Sequence, residues 1–74
     1  MRLSDGYVNH RYVIDRIHLD QKNKIKLERL KLKEGSIVTI IAKHKHYPFL
    51  VSMDGNHIAF SIQAAMQIEV IPCE

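Results

Sequence analysis

The apolar residues of this chain first follow the alternation that is typical of a β-strand. From Tyr12 to Leu19, β-branched and aromatic residues are interleaved with charged ones. One face of such a strand would carry Tyr12, Ile14 and Arg16, and the other would carry Val13, Asp15 and Ile17. The pattern therefore predicts a first strand over Tyr12 to Leu19.

A helical period follows this strand. Asp20 is suited to accept hydrogen bonds from the first free amides of a helix. On a helix from Gln21 to about Lys31, Leu27 and Leu30 share one face, and Ile25 lies at the edge of that face. We expect this face to be core, because a short helix on a small domain must bury one side.

The segment after the helix changes the period from 3.6 to 2. Gly35 can adopt positive φ without steric cost, and it is predicted to end the turn that follows Leu32. Ser36 to Lys43 then places apolar residues on both faces, as strands with two buried faces do. This segment is predicted to be a central or strongly curved strand.

A β-hairpin is predicted between Phe49 and Ile62. Phe49 to Met53 alternates apolar and less apolar positions, and Asp54-Gly55-Asn56 is a strong signal for a tight turn. The return strand is predicted over His57 to Ile62. Its inward residues would be Ile58, Phe60 and Ile62.

The C-terminal part predicts one helical turn over Ser61 to Met66 and a last strand over Gln67 to Ile71, ended by Pro72. The whole chain is therefore predicted to be mainly β, with five short strands, one short α-helix and a short helical turn. Short strands at such close spacing favour a small barrel whose closure hides the edges of its sheet.

Composition narrows the class of protein. The 74 residues, 46% of them hydrophobic, predict one folded domain over residues 1–74. Cys73 is the only cysteine, which excludes an intrachain disulfide. No apolar signal-peptide segment opens the chain and no run approaches a membrane span, so we expect a cytoplasmic protein without direct membrane insertion.

The charge of the chain is concentrated in one segment. The formal net charge is only +3, but six basic residues and one acid, Glu28, lie between Lys22 and Lys33. Such a patch attracts phosphate, anionic lipid or an acidic protein face. The alternative is a solvated helix face without a partner.

Taken as an ordered set, the residues from Lys24 to Val70 resemble a known family. The shared pattern is Leu27-x-x-Leu30-x-Leu32-x-x-Gly35-x-x-Val38-x-Ile40, then Pro48, Phe49-Leu50-Val51, Asp54-Gly55, Ile58-Ala59-Phe60-Ser61, Ala64-Ala65 and Ile68-x-Val70. This succession resembles the ferrous iron transport protein A (FeoA) family, an SH3-like module that also occurs in some iron-dependent repressors. Lys31 departs from the family, whose members commonly have glycine before the position of Leu32.

The resemblance implies a five-stranded SH3-like barrel that is not an enzyme. It further implies an accessory protein of ferrous iron transport that binds the cytosolic domain of the membrane permease FeoB and modulates iron uptake, with no required cofactor. The exposed residues expected to contact this partner are Arg29, Lys31, Lys33, His44 and Tyr47.

Histidines offer a possible metal site. His44 and His46 are two residues apart, so on a strand end both side chains face one side, and His57 is a candidate third ligand for Fe²⁺ or another transition metal. The neighbouring lysines repel a cation, and the alternative is a set of exposed loop histidines.

A barrel that binds RNA is the competing functional hypothesis. The basic segment would follow phosphates while Tyr7, Tyr12 or Tyr47 stacks on bases. Aromatic residues make up only 7% of the chain and are not interleaved with the basic ones, so nucleic acid is the second choice of partner. Catalysis has no support, because no nucleophile elbow and no glycine-rich phosphate loop is present.

Overall fold

The computed structural model describes residues 1–43 and 48–73, and these form five strands and two α-helical segments. In chain order the elements are β1 (Arg11–Ile17), α1 (Gln21–Arg29), β2 (Ile37–Ala42), β3 (Phe49–Met53), β4 (Asn56–Phe60), α2 (Ile62–Ala65) and β5 (Ile68–Cys73). A short 3₁₀ helix, Leu3–Asp5, precedes them and was not predicted from the sequence.

One curved antiparallel sheet carries the fold. Its hydrogen-bonded order is β4-β3-β2-β1-β5, and inward side chains from all five strands share one core with Leu3, Leu27 and Leu32. The predicted barrel and its central strand β2 are confirmed. The predicted closure is different, because β4 and β5 end the described ladder and are joined by α2.

A bulge in β1 changes which of its residues face the core. The register against β5 shifts between Ile14 and Arg16, so Asp15 is the extra residue. Tyr12 and Ile14 share one face of β1 as predicted, and both are buried, but after the bulge Ile17 is buried and Arg16 is exposed. The prediction that Arg16 shares a face with Tyr12 and Ile14 was therefore wrong, because a bulge resets the two-residue alternation.

Helix α1 begins as predicted and ends earlier. The Asp20 carboxylate accepts a hydrogen bond from the Asn23 backbone N–H. At the other end, the N–H of Leu32 donates to the carbonyl of Leu27 and the N–H of Lys31 donates to that of Glu28. This pair of bonds is a Schellman motif, and Lys31 occupies its left-handed position with φ of +66°.

Gly35 belongs to a separate turn rather than to the end of the helix. The N–H of Ser36 donates to the carbonyl of Lys33 across 3.0 Å, and Gly35 lies inside that turn with φ of +95°. The predicted positive φ is confirmed. The predicted position is confirmed as well, because this turn follows Leu32, while Lys31 reverses the chain at the end of α1 itself.

The hairpin of β3 and β4 closes on a two-residue turn. Asp54 and Gly55 both have positive φ, as a type I′ turn requires, and Met53 pairs with Asn56. The predicted alternation is confirmed, with Phe49, Val51 and Met53 buried on one face of β3. The return strand stops at Phe60, and Ile62 belongs to α2 because the Ser61 hydroxyl caps the Ala64 N–H.

The last strand continues further than predicted. Pro72 lies within β5 and faces Tyr12 in the register with β1. Proline is tolerated there because β5 is the end strand of the sheet, so the missing N–H interrupts no second ladder. Across the described residues, no helix is long and apolar enough to cross a membrane.

Candidate docking groove

A groove of about 460 Å³ separates α1 from β4 and α2. Its α1 side comprises Leu19, Asn23, Lys26, Leu27 and Leu30. Its opposite side comprises Ile58, Ala59 and Phe60 of β4, with Ser61, Gln63, Ala64 and Gln67 around α2. A partly apolar depression with a few polar groups at its rim is the usual form of a recognition site.

Leu30 is the main exposed apolar residue of this groove. Its side chain is 52% exposed, whereas Leu27 is only 7% exposed. The Schellman motif folds Leu32 back toward Leu27, and these two leucines fill the core at the end of α1. The prediction that Leu30 is core was therefore wrong, and its exposure places an apolar side chain at the mouth of the groove.

The spacing of the helical residues explains why they share the groove. Asn23, Lys26, Leu27 and Leu30 lie at positions i, i+3, i+4 and i+7 of α1. Residues at these intervals occupy one side of an α-helix. Sequence reasoning found this side from Leu27 and Leu30, but it did not indicate that β4 and α2 stop short of covering it.

The rim of the groove carries one cation. Lys26 is the one charged residue among its described lining, and it is exposed. Lys22 and Arg29 are exposed elsewhere on the same helix. Across residues 1–43 and 48–73, the single ion pair joins His18 and Glu69, so these cations have no acidic partner in the described fold. The groove thus combines apolar surface with unneutralised positive charge.

The predicted partner-binding residues divide into two sets. Arg29, Lys31 and Lys33 are all exposed, at the last residue of α1 and in the chain that follows it. The structure therefore brings them to one end of the groove helix. His44 and Tyr47 lie outside the described residues, and their contact with a partner remains a prediction.

The predicted metal ligands are only partly described. His57 is exposed on β4 opposite Ser52, while His44 and His46 lie outside the described residues. Within the described part of the chain, no three His, Cys, Asp or Glu side chains form a group that could hold a metal ion. A site that includes His44 and His46 stays a prediction.

The tyrosines proposed for base stacking have different environments. Tyr12 is buried, and its hydroxyl accepts a 2.8 Å hydrogen bond from the Tyr7 backbone N–H. It cannot stack on a base, so that prediction was wrong. Tyr7 is 69% exposed and packs beside His10, and Tyr47 lies outside the described residues. Among the described residues, Tyr7 is therefore the one predicted tyrosine that is exposed enough to stack on an RNA base.

A histidine and a glutamate form an ion pair where β1 ends beside β5. His18 Nε2 lies 2.5 Å from Glu69 Oε2, and both side chains are about half exposed. The hydrogen bond from His18 lowers the pKa of Glu69, and the nearby Arg16 and N-terminal charges lower it further. Glu69 is thus held in its anionic form at a surface position.

A small β-barrel of five antiparallel strands with one short helix defines a protein of the SH3-like class. The family model described as the FeoA domain matches residues 1–72, and the chain belongs to the FeoA family. This match extends beyond Lys24 to Val70, the residues on which the resemblance was recognised, and includes the N-terminal segment. The family is associated with ferrous iron transport, as an accessory factor rather than a known enzyme.

Solved structures have the same fold. A crystal structure of the iron uptake regulatory protein FeoA superposes with a TM-score of 0.88 at 19% identity, covering 99% of this chain and 97% of that one. The solution structure of FeoA from Chlorobium tepidum gives 0.93 at 19% identity, covering 100% and 71%. No curated protein matches the sequence.

A third solved structure is that of zinc-complexed FeoA from Stenotrophomonas maltophilia, described as a prokaryotic SH3 domain protein possibly acting as a ferrous iron transport activating factor. It superposes with a TM-score of 0.78 at 24% identity, covering 96% of this chain and 89% of that one. At these identities the similarity establishes the SH3-like fold.

Proposed function

We propose that this protein binds the cytosolic domain of the ferrous iron permease FeoB through the groove between α1 and β4, and thereby modulates iron uptake. Membership of the FeoA family supports the choice of partner. The observation that carries the proposal is the exposure of Leu30 at the mouth of the groove.

The exposed leucine is a candidate anchor for the complex. Leu30 is 52% exposed and adjoins a depression that contains the partly buried Leu19 and Ala64. Covering an exposed apolar side chain in an interface stabilises a complex, because apolar surface is removed from water. The cationic rim adds long-range attraction for an acidic surface on the permease.

The experiment measures binding of the purified chain to the isolated FeoB cytosolic domain by calorimetry. We expect Leu30→Asp to weaken binding about tenfold or more, because it places a charge in the apolar contact. Ile25→Asp is the matched control, since Ile25 is 37% exposed on the same helix but does not line the groove. Equal affinities for the two variants would contradict the proposed site.

A second arm tests the charge and the role in transport. Lys26→Glu should slow association and reduce its dependence on salt, because Lys26 supplies positive charge at the rim. In cells, Leu30→Asp should change the rate of ferrous iron uptake while Ile25→Asp should not. Unchanged uptake for Leu30→Asp would overturn the proposed modulation.

A further inference from the structure

One edge of the sheet is unpaired beside the groove. β4 ends the order β4-β3-β2-β1-β5, so within the described residues it pairs with β3 alone. The two-residue turn makes Met53 and Asn56 the first hydrogen-bonded pair, and bonded pairs then recur at every second residue. The backbone groups of His57 and Ala59 therefore point away from β3.

These outward backbone groups are free for an added chain. His57 and Ala59 are both exposed, and neither has a backbone hydrogen bond outside the hairpin among residues 1–43 and 48–73. An exposed strand edge with unpaired N–H and C=O groups is a template for another strand. The edge of β4 is therefore competent to pair.

The opposite edge of the sheet is protected, which sets β4 apart. On β5, the Val70 N–H donates to the Met1 carbonyl across 2.7 Å, and Arg2 forms a bridge with Glu69. Pro72 then removes a further N–H from β5. Natural sheets use coverage and proline to prevent pairing at their edges. Only at β4 does the described sheet keep an edge without either device.

The groove lies along this edge. Ala59 lines it with Ile58 and Phe60, while Lys26 and Leu30 lie on the α1 side. A peptide chain in the groove has the free backbone groups of β4 on one side. On its other side it has the apolar side chain of Leu30 and the positive charge of Lys26. The small side chain of Ala59 leaves room for its close approach.

Building on the proposed function, we infer that the partner binds as an extended segment that pairs with β4 as an additional strand. The segment has apolar side chains at alternate positions, one of which contacts Leu30, and an acidic residue that faces Lys26. Main-chain hydrogen bonds give such complexes their affinity, and pockets for alternate side chains give their specificity. A helical segment would contact Leu30 but leave the His57 and Ala59 amides unbonded.

Amide hydrogen exchange followed by NMR tests this inference on the full chain. The probes are overlapping twelve-residue peptides that cover the cytosolic part of FeoB. In the free chain we expect the amides of His57 and Ala59 to exchange much faster than those of Ile58 and Phe60, which serve as internal controls. The binding peptide should slow exchange at His57 and Ala59 about tenfold or more.

Modified peptides provide an arm that leaves the protein unchanged. N-methylation removes a donor from the peptide backbone, and only every second amide of an added strand faces β4. Methylating the amides of one alternate set should weaken binding about tenfold, and methylating the other set should not. Equal effects of the two sets, or peptides that bind without protecting Ala59, would overturn the inference.

A protein variant separates this inference from the proposed function. Ala59→Pro removes the outward N–H without interrupting the pairing with β3, and Ala59→Ser is the control that keeps it. We expect Ala59→Pro to weaken binding of the FeoB domain and Ala59→Ser to bind like the unmodified chain. If Leu30→Asp abolishes binding while Ala59→Pro does not, the groove docks FeoB without strand addition. If neither variant affects binding, both proposals fail.

Discussion

The backbone N–H of Leu32 donates a 3.0 Å hydrogen bond to the carbonyl of Leu27, and this contact closes the C-terminus of α1 around Lys31. Lys31 adopts a left-handed conformation that is uncommon for a residue with a Cβ. The same closure turns Leu30 outward. One backbone motif therefore both ends the helix and opens the groove.

Lys31→Gly should stabilise the fold. A left-handed conformation costs an L-residue about 1–2 kcal/mol, and glycine avoids that cost but loses more entropy on folding, so the net gain is about 0.5–1 kcal/mol. Chemical denaturation gives the free energy of unfolding. Lys31→Ala is the control, because it removes the charge and keeps the Cβ. An equal gain in the free energy of unfolding for both variants would show that loss of the positive charge, and not the backbone conformation, causes the effect.

Gly35→Val should destabilise the fold by about 1 kcal/mol or more, because Val at a φ of +95° is sterically strained. A Cβ at this position meets no atom within 4 Å, so the expected cost is conformational. Gly35→Asn tests this reason, since Asn tolerates positive φ better than Val. An unchanged melting temperature for Gly35→Val would contradict the turn.

Gly6→Ala should destabilise the fold by about 1–3 kcal/mol for a different reason, which is overpacking. A Cβ there would lie 2.5 Å from Ile40 Cδ1 and 2.9 Å from the Tyr12 ring. Both neighbours are buried, and the Tyr12 hydroxyl is held by the Tyr7 N–H.

A double-mutant cycle checks the Gly6 contact. Ile40→Val removes the atom that the new methyl group would meet, so the Gly6→Ala substitution should cost less in that background. Denaturant unfolding of the four proteins gives the coupling free energy. Additive effects would show that Ile40 does not limit the space at Gly6.

The stability of the chain should fall in acid partly through Glu69. Its pKa is lowered first by the hydrogen bond from His18, so the folded chain releases the proton more readily than the unfolded chain. The stabilisation is therefore present above the ordinary glutamate pKa and is lost as the pH falls through the lowered value.

Glu69→Gln should flatten this acid dependence of the melting temperature. Glu28→Gln is the control, because Glu28 is exposed and its side chain makes no hydrogen bond among the described residues. Thermal unfolding between pH 3 and pH 7, as an approximate range around the carboxyl pKa, measures both. A profile for Glu69→Gln that matches the unmodified chain would exclude this contribution.

Only part of the candidate site could be predicted from the sequence. The period of α1 identified the side that carries Leu27 and Leu30, and the basic segment indicated a cationic surface, but the place of Lys26 beside these leucines was not predicted. The place of Ala59 in the site could not be predicted from nearby residues. It depends on β4 being an end strand of the sheet, which the local sequence pattern does not indicate. The exposure of Leu30 likewise depends on where Leu32 returns to the core.

The sequence by itself determined the elements whose causes are local. The two-residue alternation of β3, the Asp54-Gly55 turn and the Asp20 cap were all predictable, because each depends on neighbouring residues and on backbone sterics. The family resemblance followed from the same ordered signals.

Tertiary structure decided what depends on residues distant along the chain. The bulge at Asp15, the placement of Pro72 in an end strand and the open edge of β4 all follow from which strands pair. Burial of Leu27 and exposure of Leu30 follow from competition for one small core. Pairing and packing are settled by long-range contacts, and short-range periodicity does not encode them.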